Sequence, residues 1–232
     1  MRINVKGAIV PNGDKWIYDW FGIDATCPKD VADAIDKAGG QKIEVEINSG
    51  GGDIFAGSEI YTALRAYPGG VSIHIVGLAA SAASVISMAG YCEMSPTAMM
   101  MVHNVSSYAD GDYREMDHKA DVLRQANKTI AAAYIGKTGM SEKDALALMD
   151  DETWLTATQA KEKGLVDAVM FNSAPQIAAS VGSEMLPKSV LDKIRNTVKD
   201  PVRPESGIFM PDAKTRAQAE LKLLDLKGRI IE

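Results

Sequence analysis

The fold of this chain is decided around the stretch Gly77-Leu78-Ala79-Ala80-Ser81-Ala82-Ala83-Ser84, which directly follows the apolar run Val71-Ser72-Ile73-His74-Ile75-Val76. The pattern predicts a strand, a tight turn and a helix that begins at Ser81. Backbone N–H groups at a helix start have no intrahelical partner and lie at the positive end of the helix dipole, so a serine hydroxyl there suits a nucleophile. Small neighbouring alanines leave room for a substrate backbone. Tight helix packing is the simpler alternative, because Ala/Ser-rich helix starts are common.

A second unit of strand, glycine-rich loop and helix precedes this stretch. Residues 42–47 alternate between apolar and polar as a strand does, and Asn48-Ser49-Gly50-Gly51-Gly52-Asp53 forms the loop. Because parallel strands end at the same edge of a sheet, we expect the loop at Gly51 to lie near Ser81. The loop lacks the GxxxxGK[ST] and GxGxxG patterns, so nucleotide binding is not predicted.

Alternation, turn residues and capping residues predict the other elements of an α/β fold. In chain order these are a strand at 3–10, a hairpin through 16–20, a helix from Pro28 to Gly39, a strand at 98–103, a long helix at 113–136, helices opened by Ser141 and by Thr156, and a last strand at 165–171.

Candidate partners for the serine follow from this order of elements. His103 ends the strand at 98–103 and therefore lies at the expected site edge, where an imidazole can act as a general base. A carboxylate can orient that histidine if the chain returns to the sheet edge, and the candidates are the adjacent residues Asp150, Asp151 and Glu152. Solvated helix caps are the alternative interpretation of these carboxylates.

Composition narrows the classes of protein and partner. The 232 residues carry a net charge of −6, which argues against nucleic acid as the main partner. Cys27 and Cys92 form no CxxC or Cys/His cluster, so we predict no disulfide framework, no metal and no cofactor. The sequence shows neither a signal peptide nor an apolar run of roughly 20 residues, so we expect a cytoplasmic protein with no membrane segment.

The character of the chain changes near residue 172. Five of the nine prolines lie in the last 61 residues, and that segment carries 10 Lys/Arg against 8 Asp/Glu, whereas residues 1–171 carry 15 against 23. We therefore predict one catalytic domain at 1–171 and a linker with a C-terminal appendage at 172–232, flexible or helical. An amphipathic helix is predicted at 214–231.

Four motifs in this order resemble the proteolytic subunit family of the Clp protease (ClpP), and within it the ClpP-like proteases of phage and prophage heads. Residues 47–52 resemble the INSPGG loop with Gly50 in place of proline, and residues 77–82 resemble the GxAAS turn. Residues 101–103 resemble the histidine strand, and residues 155–167 resemble the LSAxEAxxxGLVD segment. The resemblance covers residues 1–171.

The resemblance implies a crotonase/ClpP-like fold of repeated ββα units with a long protruding handle helix. It implies a serine endopeptidase in which Ser81 is the nucleophile and His103 the general base. The oxyanion would be held by the N–H groups of Gly51 and Ala82. Alignment places Glu152 at the third triad position, with Asp151 as the alternative. The residues expected to bind substrate are Gly52, Asp53 and Asn104.

The resemblance also implies partners and a role. We expect a homo-oligomer, a heptameric ring or stacked rings, with neighbours packed at the handle helix through Ala131-Ala132-Ala133. The expected substrate is a peptide or protein, either a capsid or scaffold protein in phage head maturation, in the host cytoplasm, or peptides in general degradation. The N-terminal segment does not match the family's axial-loop region, so an ATPase unfoldase is not expected as a partner.

Two alternatives of different classes remain open. A crotonase-type acyl-CoA enzyme would share the fold and the paired N–H groups, but it uses carboxylates and needs no serine. A catalytically inactive, scaffold-like shell subunit would keep the fold without the chemistry. A signal-peptide peptidase with a Ser–Lys dyad is disfavoured because no membrane segment is predicted.

Overall fold

An eight-stranded sheet organises residues 1–171, the part of the chain that the computed structural model describes. Its strands are β1 (Arg2–Ile9), β2 (Ala25–Thr26), β3 (Ile43–Gly52), β4 (Val71–Ala80), β5 (Tyr91–Met94), β6 (Met99–Val102), β7 (Thr153–Thr156) and β8 (Ala168–Val169). The helices are α1 (Lys15–Trp20), α2 (Pro28–Ala38), α3 (Ile54–Ala66), α4 (Ala82–Ser87), α5 (Tyr113–Thr138), α6 (Glu142–Asp150) and α7 (Ala157–Glu162). The predicted appendage at 172–232 lies outside the described residues.

Strand β4 is central in the sheet and pairs with three other strands, β3, β5 and β6. The strand order is β2-β1-β3-β4-β5-β8, and β6 joins β4 beyond the end of β5. The first half of β4 pairs with β5 through His74↔Glu93, and the second half pairs with β6 through Ala79↔Met100. Within the described residues every strand pair is parallel except β6 with β7. The carboxyl ends of β3, β4 and β6 therefore meet at one edge.

The core forms where alternating apolar side chains of the central strands meet the helices. Ile43, Val45 and Ile47 of β3 are fully buried, and helix α3 covers the sheet with Ile60 and Leu64. Burying one such side chain contributes about 1.5–3 kcal/mol. The α/β class predicted from the alternation is confirmed.

Capping side chains fix where several helices begin. The Ser141 hydroxyl accepts from the Asp144 N–H, and Thr156 forms a capping box with Gln159, so both predicted caps are confirmed. Asp112 opens α5 in the same way, and its hydrogen bond from the Arg114 side chain lowers the pKa of its carboxyl. None of the helices within residues 1–171 is long and apolar enough to cross a membrane.

Helix α5 has two different halves. No residue from 113 to 129 is buried, whereas Ile130, Ala131, Ala133 and Tyr134 pack into the core. Ala131 and Ala133 are therefore not available to neighbouring chains, contrary to the expectation from the alanine run. The second half is tied to the sheet through Lys137, which donates to the Gly90 carbonyl and forms an ion pair with Asp167.

The predicted hairpin at 16–20 is wrong, because these residues form the short helix α1. The alternating aromatic residues Trp16, Tyr18 and Trp20 imitate a strand pattern, but no residue of α1 is buried. An ion pair between Lys15 and Asp19, one helical turn apart, supports the helix.

Other boundaries also differ from the prediction. The two short strands β5 and β7 have no counterpart among the predicted elements, and the last strand β8 has only two residues. Strand β3 runs through the predicted loop as far as Gly52, which pairs with Ile9. A side chain at Gly52 would lie 2.1 Å from the Ile9 carbonyl oxygen, so glycine is required for β1 to approach this closely.

A second close approach joins β3 to the turn after β4. Gly51 has a φ of +93°, and a Cβ added there would lie 2.7 Å from both the Ala80 carbonyl oxygen and the Ser81 Cβ. A Cβ at the preceding Gly50 meets nothing within 4 Å. The two glycines therefore offer a matched comparison of a constrained and an unconstrained position.

We expect Gly51→Ala to lower the free energy of unfolding by at least about 2 kcal/mol, because it combines a strained φ with overlap against a backbone that cannot move freely. Gly50→Ala, the control, should change it by less than about 0.5 kcal/mol. Urea denaturation followed by circular dichroism measures both. Equal effects of the two substitutions would contradict the packing described for Gly51.

Candidate active site

Ser81 lies between the end of β4 and the start of α4, in a conformation that few serines adopt. Its φ is +56° and its ψ is −125°. The Ser81 N–H donates to the Met101 carbonyl of β6 at 3.0 Å, which anchors the turn to the neighbouring strand. Positive φ at a residue other than glycine costs about 1–3 kcal/mol and persists only where the surroundings impose it.

The structure brings the predicted serine and histidine together. His103 directly follows β6, and its Nε2 lies 2.7 Å from the Ser81 Oγ. Both side chains are partly buried. Within this distance an imidazole nitrogen can accept the hydroxyl proton. The other two histidines lie elsewhere, with His74 beside Glu93 on β4 and β5 and His118 exposed on α5.

A cleft of about 310 Å³ opens beside Ser81 and His103. Its wall is mainly apolar, and one cationic side chain, Lys119, also borders it. The apolar side chains come from α3, α4, the segment after β6, and α5; they include Phe55, Val85, Val105, Val122, Leu123 and Ile130. The cleft can therefore receive an apolar side chain next to the serine hydroxyl.

The three residues predicted to bind substrate all border this cleft, but two of them have other contacts. The Asp53 carboxylate accepts from the Ala56 N–H at 2.7 Å and caps α3. The Asn104 amide donates to the Asp150 carboxylate at 2.8 Å, while its buried Oδ1 has no partner among the described residues. Gly52 presents only backbone to the cleft.

The N–H group of Gly51 is already engaged, which conflicts with the predicted oxyanion role. It donates to the Ser49 Oγ at 3.0 Å, and that hydroxyl donates in turn to the Gly7 carbonyl at 2.6 Å. The Asp53 N–H also points toward β1, where it donates to the Ile9 carbonyl. Gly52, between these two residues, borders the cleft.

Ala82, the other residue predicted to hold the oxyanion, begins helix α4. Its N–H group therefore has no acceptor within the helix.

None of the three adjacent carboxylates forms a hydrogen bond or ion pair with His103 within residues 1–171. Asp150 accepts from Asn104, and Asp151 ends α6 and borders a different cavity that also contains Lys163. The Glu152 carboxylate accepts from the Trp154 indole at 3.3 Å. The antiparallel ladder ends at the pair Val102 and Thr153, so His103 and Glu152 are the next residues along the two chain segments. Glu152 has a φ of +45° and lies in the turn before β7.

Two residues next to the site were not predicted. The Ser84 hydroxyl donates to the Ser81 carbonyl at 2.6 Å and lies 2.8 Å from the buried Tyr134 hydroxyl. A serine three residues after a helix start is a weak signal, and Tyr134 is 50 residues further along the chain. No sequence spacing connects the two residues.

The sequence is similar to known proteins of one family. A family model described as Clp protease matches residues 33–173, more than half of the 232 residues. The ATP-dependent Clp protease proteolytic subunit 1 of Chlamydia abortus is 31% identical over 156 residues, which cover 62% of this chain and 81% of that protein. The proteins of the same name from Chlamydia caviae and Streptomyces avermitilis are also similar. The first is 30% identical over 174 residues, covering 68% of this chain and 91% of that protein. The second is 35% identical over 131 residues, covering 55% of this chain and 60% of that protein. The chain belongs to the Clp protease family.

Proposed function

We propose that this chain is a serine endopeptidase that cleaves peptide bonds with Ser81 as nucleophile and His103 as general base. The observation that carries the proposal is the 2.7 Å contact between the Ser81 Oγ and the His103 Nε2 at the border of an open cleft. Membership of the Clp protease family supports the same reaction class.

The proposed reaction follows from this contact. The Ser81 Oγ attacks the scissile carbonyl carbon while the His103 Nε2 takes the hydroxyl proton. His103 then gives that proton to the leaving amine, and the C–N bond breaks to leave an acyl-enzyme. Water, deprotonated by the same imidazole, attacks the ester carbonyl carbon; the bond to the Ser81 Oγ then breaks, and His103 returns the proton to that oxygen as the acid leaves. For Nε2 to accept the proton, the neutral ring must carry its hydrogen on Nδ1.

Two backbone N–H groups are proposed to hold the oxyanion of the tetrahedral intermediate. We assign this role to Gly52 and Ala82, and Gly52 replaces Gly51 because the Gly51 N–H donates to Ser49. Gly52 ends strand β3 and Ala82 begins helix α4, so both N–H groups belong to ordered backbone and need little reorganisation when charge develops.

Glu152 is proposed as the carboxylate that orients His103. The β6–β7 pairing supports it, since His103 directly follows and Glu152 directly precedes the last paired residues, Val102 and Thr153. The carboxylate would then exchange its bond from the Trp154 indole for one from the His103 Nδ1–H.

The cleft supports a preference for substrates with an apolar side chain beside the scissile bond, because most of its wall is apolar.

A narrower proposal, implied by the sequence resemblance, is that the substrate is a capsid or scaffold protein in phage head maturation. The second candidate function is general protein degradation together with an ATPase. It is favoured by the names of the similar proteins, which are proteolytic subunits of an ATP-dependent protease.

Ser81→Ala should lose at least about 10³-fold in peptidase activity while keeping the circular dichroism spectrum of the parent. A fluorophosphonate probe should label the parent at Ser81, located by mass spectrometry, and should not label the variant. Ser58→Ala, on helix α3, is the control and should be labelled like the parent. A parent chain that is not labelled at Ser81 would overturn the proposal and favour the inactive shell subunit.

Glu152→Gln should lower kcat by up to about 10⁴-fold, because loss of the carboxylate disfavours the productive tautomer and the charged form of the imidazole. Asp151→Asn is the matched control, since Asp151 borders a different cavity, and it should have a much smaller effect. Steady-state hydrolysis of a fluorogenic peptide measures both. An equal or reversed order would move the orienting role away from Glu152.

We also propose that the chain assembles into a homo-oligomeric ring, heptameric by resemblance to the family. Residues 113–129 of α5 contain no buried residue, although Met116 and Val122 are apolar. Such a helical segment gains little stability from its own chain and is expected to pack on a neighbour. Light scattering at micromolar concentration should give a mass of several chains, and a monomer would contradict the proposal.

A further inference from the structure

A short chain of hydrogen bonds runs from the buried half of α5 to the nucleophile turn. The Tyr134 hydroxyl lies 2.8 Å from the Ser84 Oγ, and the Ser84 Oγ donates to the Ser81 carbonyl at 2.6 Å. Ser84 is fully buried and Tyr134 is 2% exposed, so water does not compete for these groups. The mechanism proposed above uses neither side chain.

The direction of the bonds follows from the proton count. A carbonyl oxygen can only accept, so the single hydroxyl proton of Ser84 is committed to Ser81, and Tyr134 must be the donor to Ser84. Burial raises the pKa of Tyr134 to about 12, so its hydroxyl keeps the proton across the neutral range. The chain therefore has one fixed polarity, ending at the Ser81 carbonyl.

The Ser81 carbonyl is held more firmly than an ordinary helix start requires. It accepts from the Ser84 N–H at 2.9 Å and from the Val85 N–H at 3.3 Å, in addition to the Ser84 hydroxyl. The residue that carries it has a φ of +56°, a conformation that relaxes unless it is constrained.

The same carbonyl fixes the direction of a neighbouring N–H. The Ser81 C=O and the Ala82 N–H belong to one planar trans peptide unit, in which they point in opposite directions. A bond that holds the oxygen on the α4 side therefore holds the N–H on the other side. For Ala82 that is the direction of the proposed oxyanion.

We propose that Ser84 and Tyr134 are positioning residues, which lock the peptide between Ser81 and Ala82 so that the Ala82 N–H faces the oxyanion. This inference rests on the proposed peptidase function. It predicts an effect on the chemical step, since the Ala82 N–H is needed most when negative charge develops on the substrate oxygen.

The test compares Ser84→Ala, Tyr134→Phe and the double variant, with two readouts. The melting temperature reports on the core, while kcat and KM for a fluorogenic peptide, together with the rate of fluorophosphonate labelling, report on the site. Ser84→Ala leaves the buried Tyr134 hydroxyl without an acceptor, whereas the double variant removes both polar groups. The double variant should therefore recover most of the melting temperature that the single variant loses.

Activity should follow a different order from stability. We expect Ser84→Ala and the double variant to show the same loss of about tenfold in kcat and in labelling rate, with KM within about twofold of the parent, because the oxyanion donor is misaligned rather than removed. Tyr134→Phe alone should lose less, since Ser84 can still donate to Ser81.

Two outcomes overturn the inference, and they are distinguishable. If the double variant recovers kcat along with the melting temperature, the pair serves only to satisfy polar groups in the core, and the positioning role is wrong while the peptidase function stands. If the parent chain itself neither cleaves peptides nor is labelled at Ser81, the proposed function fails and the positioning role fails with it.

Discussion

The parallel pairing of β3 with β4 is the contact on which the position of the candidate site depends. The ladder ends at Ser49 and Ala79, and immediately beyond it the two backbones stay so close that only glycine fits at position 51. That contact places the turn at Ser81 against the end of β3. Pairing of β6 with the last residues of β4 then delivers His103 to the same edge. The site is thus a product of strand register more than of any single side chain.

The sheet also holds the turn at Ser81 in its strained conformation. The unfavourable φ of Ser81 costs about 1–3 kcal/mol, comparable to what burial of one large apolar side chain returns. The core of β1, β3, β4 and their covering helices contains many such side chains. Bonds from the Ser81 N–H to Met101 and from Ser84 to the Ser81 carbonyl hold the turn from two sides. The stabilisation from the core therefore exceeds the cost of the strained φ, and the fold remains stable.

Much of this arrangement can be predicted from sequence, because strand alternation and helix caps are local patterns. The approach of His103 to Ser81 follows from both residues standing at strand ends. The hydrogen bond from the Gly51 N–H to the Ser49 hydroxyl cannot be predicted, since it depends on the conformation of the glycine-rich segment in three dimensions. The Ser84–Tyr134 contact spans 50 residues, so no local pattern reveals it. The alternation of aromatic residues at 16–20 resembles that of a half-buried strand, but the segment is a helix with no buried residue, so the alternation does not reflect burial.

The positive φ of Ser81 affects which substitutions at this position evolution would favour. Glycine is the residue that tolerates this conformation without cost, so the turn would be more stable with glycine in place of the serine. Under the proposed function, selection for cleavage keeps a serine at a position where selection for stability alone would favour glycine. In a related chain that no longer cleaves peptides, replacement of Ser81 by glycine should be favoured over replacement by alanine, because alanine keeps the strained backbone.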